Sequence, residues 1–153
     1  MSEIKITLEE IMPLVREQIE SGKSVTFVPR GTSMLPMLRE GIDSVTLSAP
    51  PKKLKKYDIP LYQRENGQYI LHRVVKVGET YTCIGDNQFV YEKGVTHEQV
   101  IAVCTAFSRG EGKKISVHSP MWRLYAVVWN YSRFPRRILA ALRRRTLKLM
   151  KKS

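Results

Sequence analysis

From Ser24 to Val117 the chain is a succession of short runs of β-branched and aromatic residues, each followed closely by a Gly- or Pro-containing turn. The runs are Ser24–Val28, Ser44–Leu47, Asp58–Arg64, Tyr69–Val77, Thr80–Ile84, Gln99–Phe107 and Lys114–Val117. Short strands with closely spaced turn signals fold back on one another, so this stretch specifies a mostly antiparallel β body. Asn66-Gly67 suits a two-residue hairpin turn with positive φ at both positions, which would pair Asp58–Arg64 with Tyr69–Val77. Alternation along the second of these strands puts Ile70, His72 and Val74 on one face and Leu71, Arg73 and Val75 on the other.

Helical patterns flank this region. Thr7 and Glu10 have capping-box spacing, and Leu8, Ile11, Leu14 or Val15, and Gln18 or Ile19 trace one face of a helix that Gly22 would end. Pro13 predicts a bend in it. After Pro120 the period becomes helical again, with Pro135 expected to separate a first segment from a second over 136–152. The fold class is therefore mainly β, with an N-terminal helix and a basic amphipathic helical segment at the C-terminal end. The natural division lies between a β domain with its helix, 1–118, and a helical tail, 119–153.

Charge divides at nearly the same place. The formal net charge is +12, yet residues 112–153 hold twelve Lys or Arg and no acid, so the first 111 residues are neutral. On a helical wheel Leu139 and Leu142 fall with Ile138, Leu149 and Met150, while Arg143, Arg144 and most other cations take the remaining arc. With Trp122 and Trp129 ahead of it, this segment reads as one that lies on an anionic membrane surface. Nucleic acid is the weaker reading for the same charge, because no helix-turn-helix pattern is present.

No run of 18 apolar residues occurs, and Met1-Ser-Glu-Ile-Lys5 lacks the apolar core of a signal peptide. The location expected is cytoplasmic, peripheral at the membrane. Cys83 and Cys104 do not decide a redox compartment, and no Cys/His cluster has zinc-ligand spacing. Neither a metal nor another cofactor is expected.

Four short motifs then follow in order. They are Gly31-Thr-Ser-Met-Leu-Pro36, Asp58-Ile-Pro-Leu-Tyr62, Leu71-His-Arg-Val-Val75 and Gly85-Asp-Asn87. A hydroxyl, an imidazole and a carboxylate thus lie where strands begin or end, which is the inventory nucleophilic catalysis needs. The four motifs, in this order, resemble those of the type I signal peptidases and of their relatives, the repressor-type self-cleaving peptidases.

The resemblance implies a β-rich serine peptidase that binds its substrate as an added strand and cuts after a small side chain. It implies Ser33 as the nucleophile and His72 as the base, as in the histidine variety of these enzymes. Asp86 would orient His72, with Glu92 as the alternative acid. Gly31, Thr32, Met34 and Pro36 would form the substrate and oxyanion surface. With His72 as the base, activity is expected to rise with pH through a single ionisation at about 6 to 7. Two positions depart from the family pattern: Gly31 stands where signal peptidases usually carry serine, and Tyr57 where the second motif usually has glycine. The competing function is a non-catalytic or regulatory peptide-binding module of the same fold.

Overall fold

The structure is a computed structural model and describes residues 7–152. Residues 1–5, on which the reading of export rested, lie outside the described residues. Helix α1, Leu8–Glu20, starts as expected. The Thr7 hydroxyl accepts from the Glu10 N–H at 3.3 Å, and the Glu10 carboxylate accepts from the Thr7 N–H at 2.7 Å. Pro13 lies inside the helix, which runs through it without interruption. The helix closes on Gly22 at φ +77, with the Gly22 N–H donating to Ile19 O and the Lys23 N–H to Gln18 O. Those two bonds satisfy carbonyls that the last turn would leave open.

Nine strands follow: β1 Val25–Phe27, β2 Ser44–Ser48, β3 Pro60–Gln63, β4 Tyr69–Leu71, β5 Arg73–Val77, β6 Tyr81–Ile84, β7 Glu92–Val95, β8 Val100–Ser108 and β9 Lys114–Ser116. The chain is mainly β, with all described pairings antiparallel. One sheet has the order β1-β2-β8-β3-β4, with β9 also on β8; the other has the order β5-β6-β7. The long β8 holds the larger sheet together, pairing with β2, β3 and β9.

Period-2 alternation gives the larger sheet an apolar surface on each face. Leu61 and Ala102 join Met12, Val15 and Ile19 of α1 in one core, while Tyr62 and Val103 join Val74, Tyr81 and Cys83 of the smaller sheet in a second. Pro60 is the first residue of β3, where the missing N–H does least harm to the ladder.

Three expectations are corrected. Tyr69–Val77 is not one strand: β4 pairs with β3, and β5 pairs with β6 in the other sheet, so the chain changes sheets at His72. The hairpin turn is longer than two residues, since the Arg64 N–H donates to Gln68 O at 2.8 Å. Of its residues only Gly67, at φ +89, has positive φ. The C-terminal helices are α2, Pro120–Tyr131, and α3, Arg133–Met150, and they part at Ser132 rather than at Pro135. Pro135 falls in the first turn of α3, where backbone N–H groups have no intrahelical partner to lose.

Helix α2 is docked on the β body and does not behave as a free tail. The Trp122 ring meets Phe107 edge-on at 4.7 Å and Tyr125 at 5.1 Å, and Tyr125 stacks on Trp129 at 5.8 Å. Both Trp122 and Tyr125 pack against the core that contains α1. Replacing Trp122 by Ala should therefore cost about 2–4 kcal/mol of stability in urea unfolding. The same change at exposed Leu139 should cost less than about 0.5 kcal/mol.

Candidate functional site

Ser33 sits in the turn that follows β1. The turn is pinned from below by Met34, Met37 and Leu38, all buried in the first core. From the side it is held by the Gly85-Asp86-Asn87 turn that ends β6. The Asn87 N–H donates to Ser33 O at 2.8 Å, and Asn87 Nδ2 donates to Thr32 O at 3.2 Å. Gly85 is required there for closeness: a Cβ at this position would lie 2.6 Å from Ser33 O. The first and fourth sequence motifs are thus one structural unit.

Ser33 and His72 line the same cavity, of about 620 Å³, together with Gly31 and Met34. Thr32 and Pro36, placed with them from the sequence, are not part of its wall. The two catalytic candidates are not hydrogen-bonded to each other in this structure. Hydrogen bonds of this kind often tighten only when substrate arrives. The Gly31 N–H is taken by Glu40 Oε1 at 3.0 Å, which removes it as an oxyanion donor. Among the described residues the Ser33 N–H has no such partner.

His72 is 4% exposed, with the Tyr62 ring edge-on at 6.4 Å. Its Nδ1 is buried and has no hydrogen-bond partner among the described residues. Burial lowers its pKa to about 4; Glu92 and, more weakly, Asp86 pull the other way. The imidazole is neutral across the physiological range, as a general base must be.

The acid expected to orient His72 has a different engagement. Asp86 is fully buried and takes Arg73 in a two-point contact, Nε–Oδ1 and Nη2–Oδ2 both at 2.8 Å. Tyr125 Oη donates to Asp86 Oδ2 at 3.0 Å and Trp129 Nε1 to Asp86 O at 2.7 Å. Asp86 makes no hydrogen bond to His72. Glu92 does not either: it accepts from Tyr62 Oη and from Arg64 Nε at 2.7 Å. Burial pushes the Glu92 carboxyl up, but these two donors outweigh it and hold the pKa below its ordinary value.

The residues assigned to the membrane separate into two groups. Trp122 and Trp129 are corrected to structural positions, because their rings face the β body and Trp129 bonds the Gly-Asp-Asn turn. Arg136 lies over the Trp129 ring at 3.6 Å and closes that packing from outside. On α3, Leu139 and Leu142 are 65% and 52% exposed, and Arg143 and Arg144 are exposed beside them.

Two sets of residues escaped the sequence reading. Tyr62 and Arg64, two apart on the β3 side, both reach Glu92, a strand spacing that was visible but had no known target. Tyr125 and Trp129, four apart on α2, share a helix face as their spacing requires; the sequence did not say which surface that face meets. Tyr57, at φ +76, is the one described non-glycine residue with positive φ. Its backbone thus has the conformation that glycine, usual at this place in the resembling family, adopts freely.

No protein-family model matches the chain, no curated protein matches it, and no solved structure matches it.

Two variants separate the two carboxylates. Asp86→Ala leaves Arg73 as an uncompensated buried cation and should cost about 3–5 kcal/mol in urea unfolding. Glu92→Gln should cost less and instead move the His72 titration still lower, because the Glu92 charge raises that pKa. NMR titration of the His72 ring reads this second effect directly.

Proposed function

We propose that the protein is a serine endopeptidase of the signal-peptidase-like kind, acting on an extended peptide near an anionic membrane surface. One observation carries the reading: Ser33 and His72 meet on a cavity that runs between the two edges of the larger sheet. Phe27, the last residue of β1, lines it with Val28 and Pro29 just beyond the strand, and Tyr69, Ile70 and Leu71 line it from the β4 edge. Consecutive strand residues point to opposite faces, so a cavity touching all three residues of β4 runs along that strand's edge. Among the described residues β1 pairs only with β2, and β4 only with β3, which leaves main-chain groups on both edges for a peptide to pair with.

In the proposed reaction Ser33 Oγ attacks the scissile carbonyl while neutral His72 takes the hydroxyl proton. The Ser33 N–H faces no competing acceptor and stabilises the developing oxyanion. His72 then returns its proton to the leaving amine, and water cleaves the acyl-enzyme by the same path in reverse. With neither carboxylate bonded to the imidazole, Ser33 and His72 work as a dyad. The missing acid contact is also what favours the second reading, a peptide-binding module without catalysis.

Ser33→Ala and His72→Ala should each lower cleavage of a susceptible peptide by at least about a thousandfold, and the double variant should be no worse than either. Mass spectrometry of peptides incubated with each form checks this, and near-normal turnover by either single variant would remove the assignment. Activity should rise with pH through about 4 and be flat above, because protonated imidazole cannot act as the base. Burial thus moves the limb well below the range of an unburied histidine.

The membrane part of the proposal rests on α3, whose apolar residues Phe134, Ile138, Leu139, Leu142, Leu149 and Met150 are exposed. No described helix is long and apolar enough to cross a membrane. A surface helix of this kind combines charge attraction, screened beyond about 8 Å at physiological salt, with salt-independent insertion. Wild type should sediment with anionic liposomes, less so as salt rises. Arg143→Glu with Arg144→Glu should remove the salt-sensitive part, and Leu139→Ser with Leu142→Ser the remainder. Equal pelleting of all three forms would exclude α3 as the contact.

A further inference from the structure

We infer that the peptide presents a bulky apolar side chain to the cavity beside Ser33, and that helix α1 supplies the wall that reads it. The inference rests on the peptidase-fold reading above and names its substrate class. It also departs from the small side chain that the family resemblance implies.

The wall is built by half-buried residues. Leu8 and Ile11 of α1, Phe27 at the end of β1, and Tyr69 and Leu71 of β4 each pack one side against the first core. The same five residues line the cavity, so the surface they leave uncovered is cavity surface. Buried Leu61 adds to it from β3. The capping box at one end and the closing turn at Gly22 at the other fix where the helix starts and stops. Met12, Val15 and Ile19 bury its inner face, which leaves Leu8 and Ile11, on the same side of its first turns, to overhang the cavity.

Among the described residues the charged ones around the cavity are Arg30, Arg39 and Glu40, and two of them are already engaged. Arg39 is paired with Asp43 at 2.7 Å, and Glu40 accepts the Gly31 N–H at 3.0 Å. A charged substrate side chain placed against the Leu8–Phe27–Tyr69 wall would lose water and meet no opposite charge there, with the Tyr69 hydroxyl as the one polar side-chain group of the three. An apolar one would lose only water it is better without. Alanine in the same place would leave most of a 620 Å³ cavity unfilled. One missing methylene in a hydrophobic pocket is worth about 10- to 200-fold, so a leucine or phenylalanine peptide should exceed its alanine counterpart by at least about tenfold.

The test uses the full chain and a random decapeptide library. Peptides retained by immobilised Ser33→Ala protein should be enriched in Leu, Ile, Met, Phe and Tyr. Leu8→Trp, which fills the cavity from α1, should abolish that enrichment, while Leu8→Ala should weaken retention of the same peptides by at least about tenfold. Urea unfolding of both variants shows whether α1 is still docked; if Leu8→Trp loosens it, Leu8→Ala carries the comparison. Retention of small or charged residues, or an apolar preference that both Leu8 variants leave intact, overturns the inference. The retained peptides are then given to wild type. Apolar enrichment without Ser33-dependent cleavage would refute the peptidase reading and leave the pocket assignment standing; cleavage next to small residues with no apolar preference would do the reverse.

Discussion

The buried ion pair between Arg73 and Asp86 is the contact on which the rest of the site depends. Neither side chain reaches solvent to any useful extent, with exposures of 5% and 0%. A guanidinium and a carboxylate taken out of water are tolerated only when both are fully hydrogen-bonded. Arg73 meets that demand with Asp86, with Tyr57 O at 3.3 Å and with Met37 Sδ at 3.0 Å, and Asp86 adds the Tyr125 hydroxyl. The pair thereby joins β5, the Gly-Asp-Asn turn, the turn before β3, the serine turn and α2. Two buried charges that must be satisfied together fix the positions of five segments at once.

This explains why the Gly-Asp-Asn turn serves as an anchor for the serine and not as a partner for the histidine. Gly85 allows its backbone to close on Ser33 O, Asn87 holds Thr32 and Ser33, and Asp86 faces away toward Arg73. His72 is left to be tuned by burial, with Tyr62 and Glu92 on its flank. Desolvation disfavours the imidazolium, and the ring is kept neutral without an acid bonded to it.

The C-terminal region shows how one apolar pattern can serve two ends. Helix α2 turns Trp122, Tyr125 and Trp129 inward, and its connection to Asp86 makes it part of the site's scaffold. Helix α3 buries only Arg133, which donates to Gln88 O at 3.3 Å, and leaves its leucines exposed. The charge change after residue 111 and the change from anchored to open helix surface therefore do not coincide; the second comes near Ser132.

The amino-acid sequence by itself determined what depends on neighbours along the chain. Capping at Thr7 and Glu10, the stop at Gly22, most of the strands and the mainly β class are set by local hydrogen bonds, dihedral preference and period. It missed β7, because Glu92-Lys-Gly-Val95 has no alternation and is a strand only through its pairing with β6. It also placed Ser33 and His72 as a pair in name, since motif order survives without geometry. Tertiary structure alone decided that His72 is where the chain changes sheets, that Asp86 belongs to Arg73, and that the two tryptophans face the body. In each case the outcome turns on which distant group reaches a buried charge or an apolar face first. A one-dimensional pattern carries the periodicity of such a face but not the identity of what covers it.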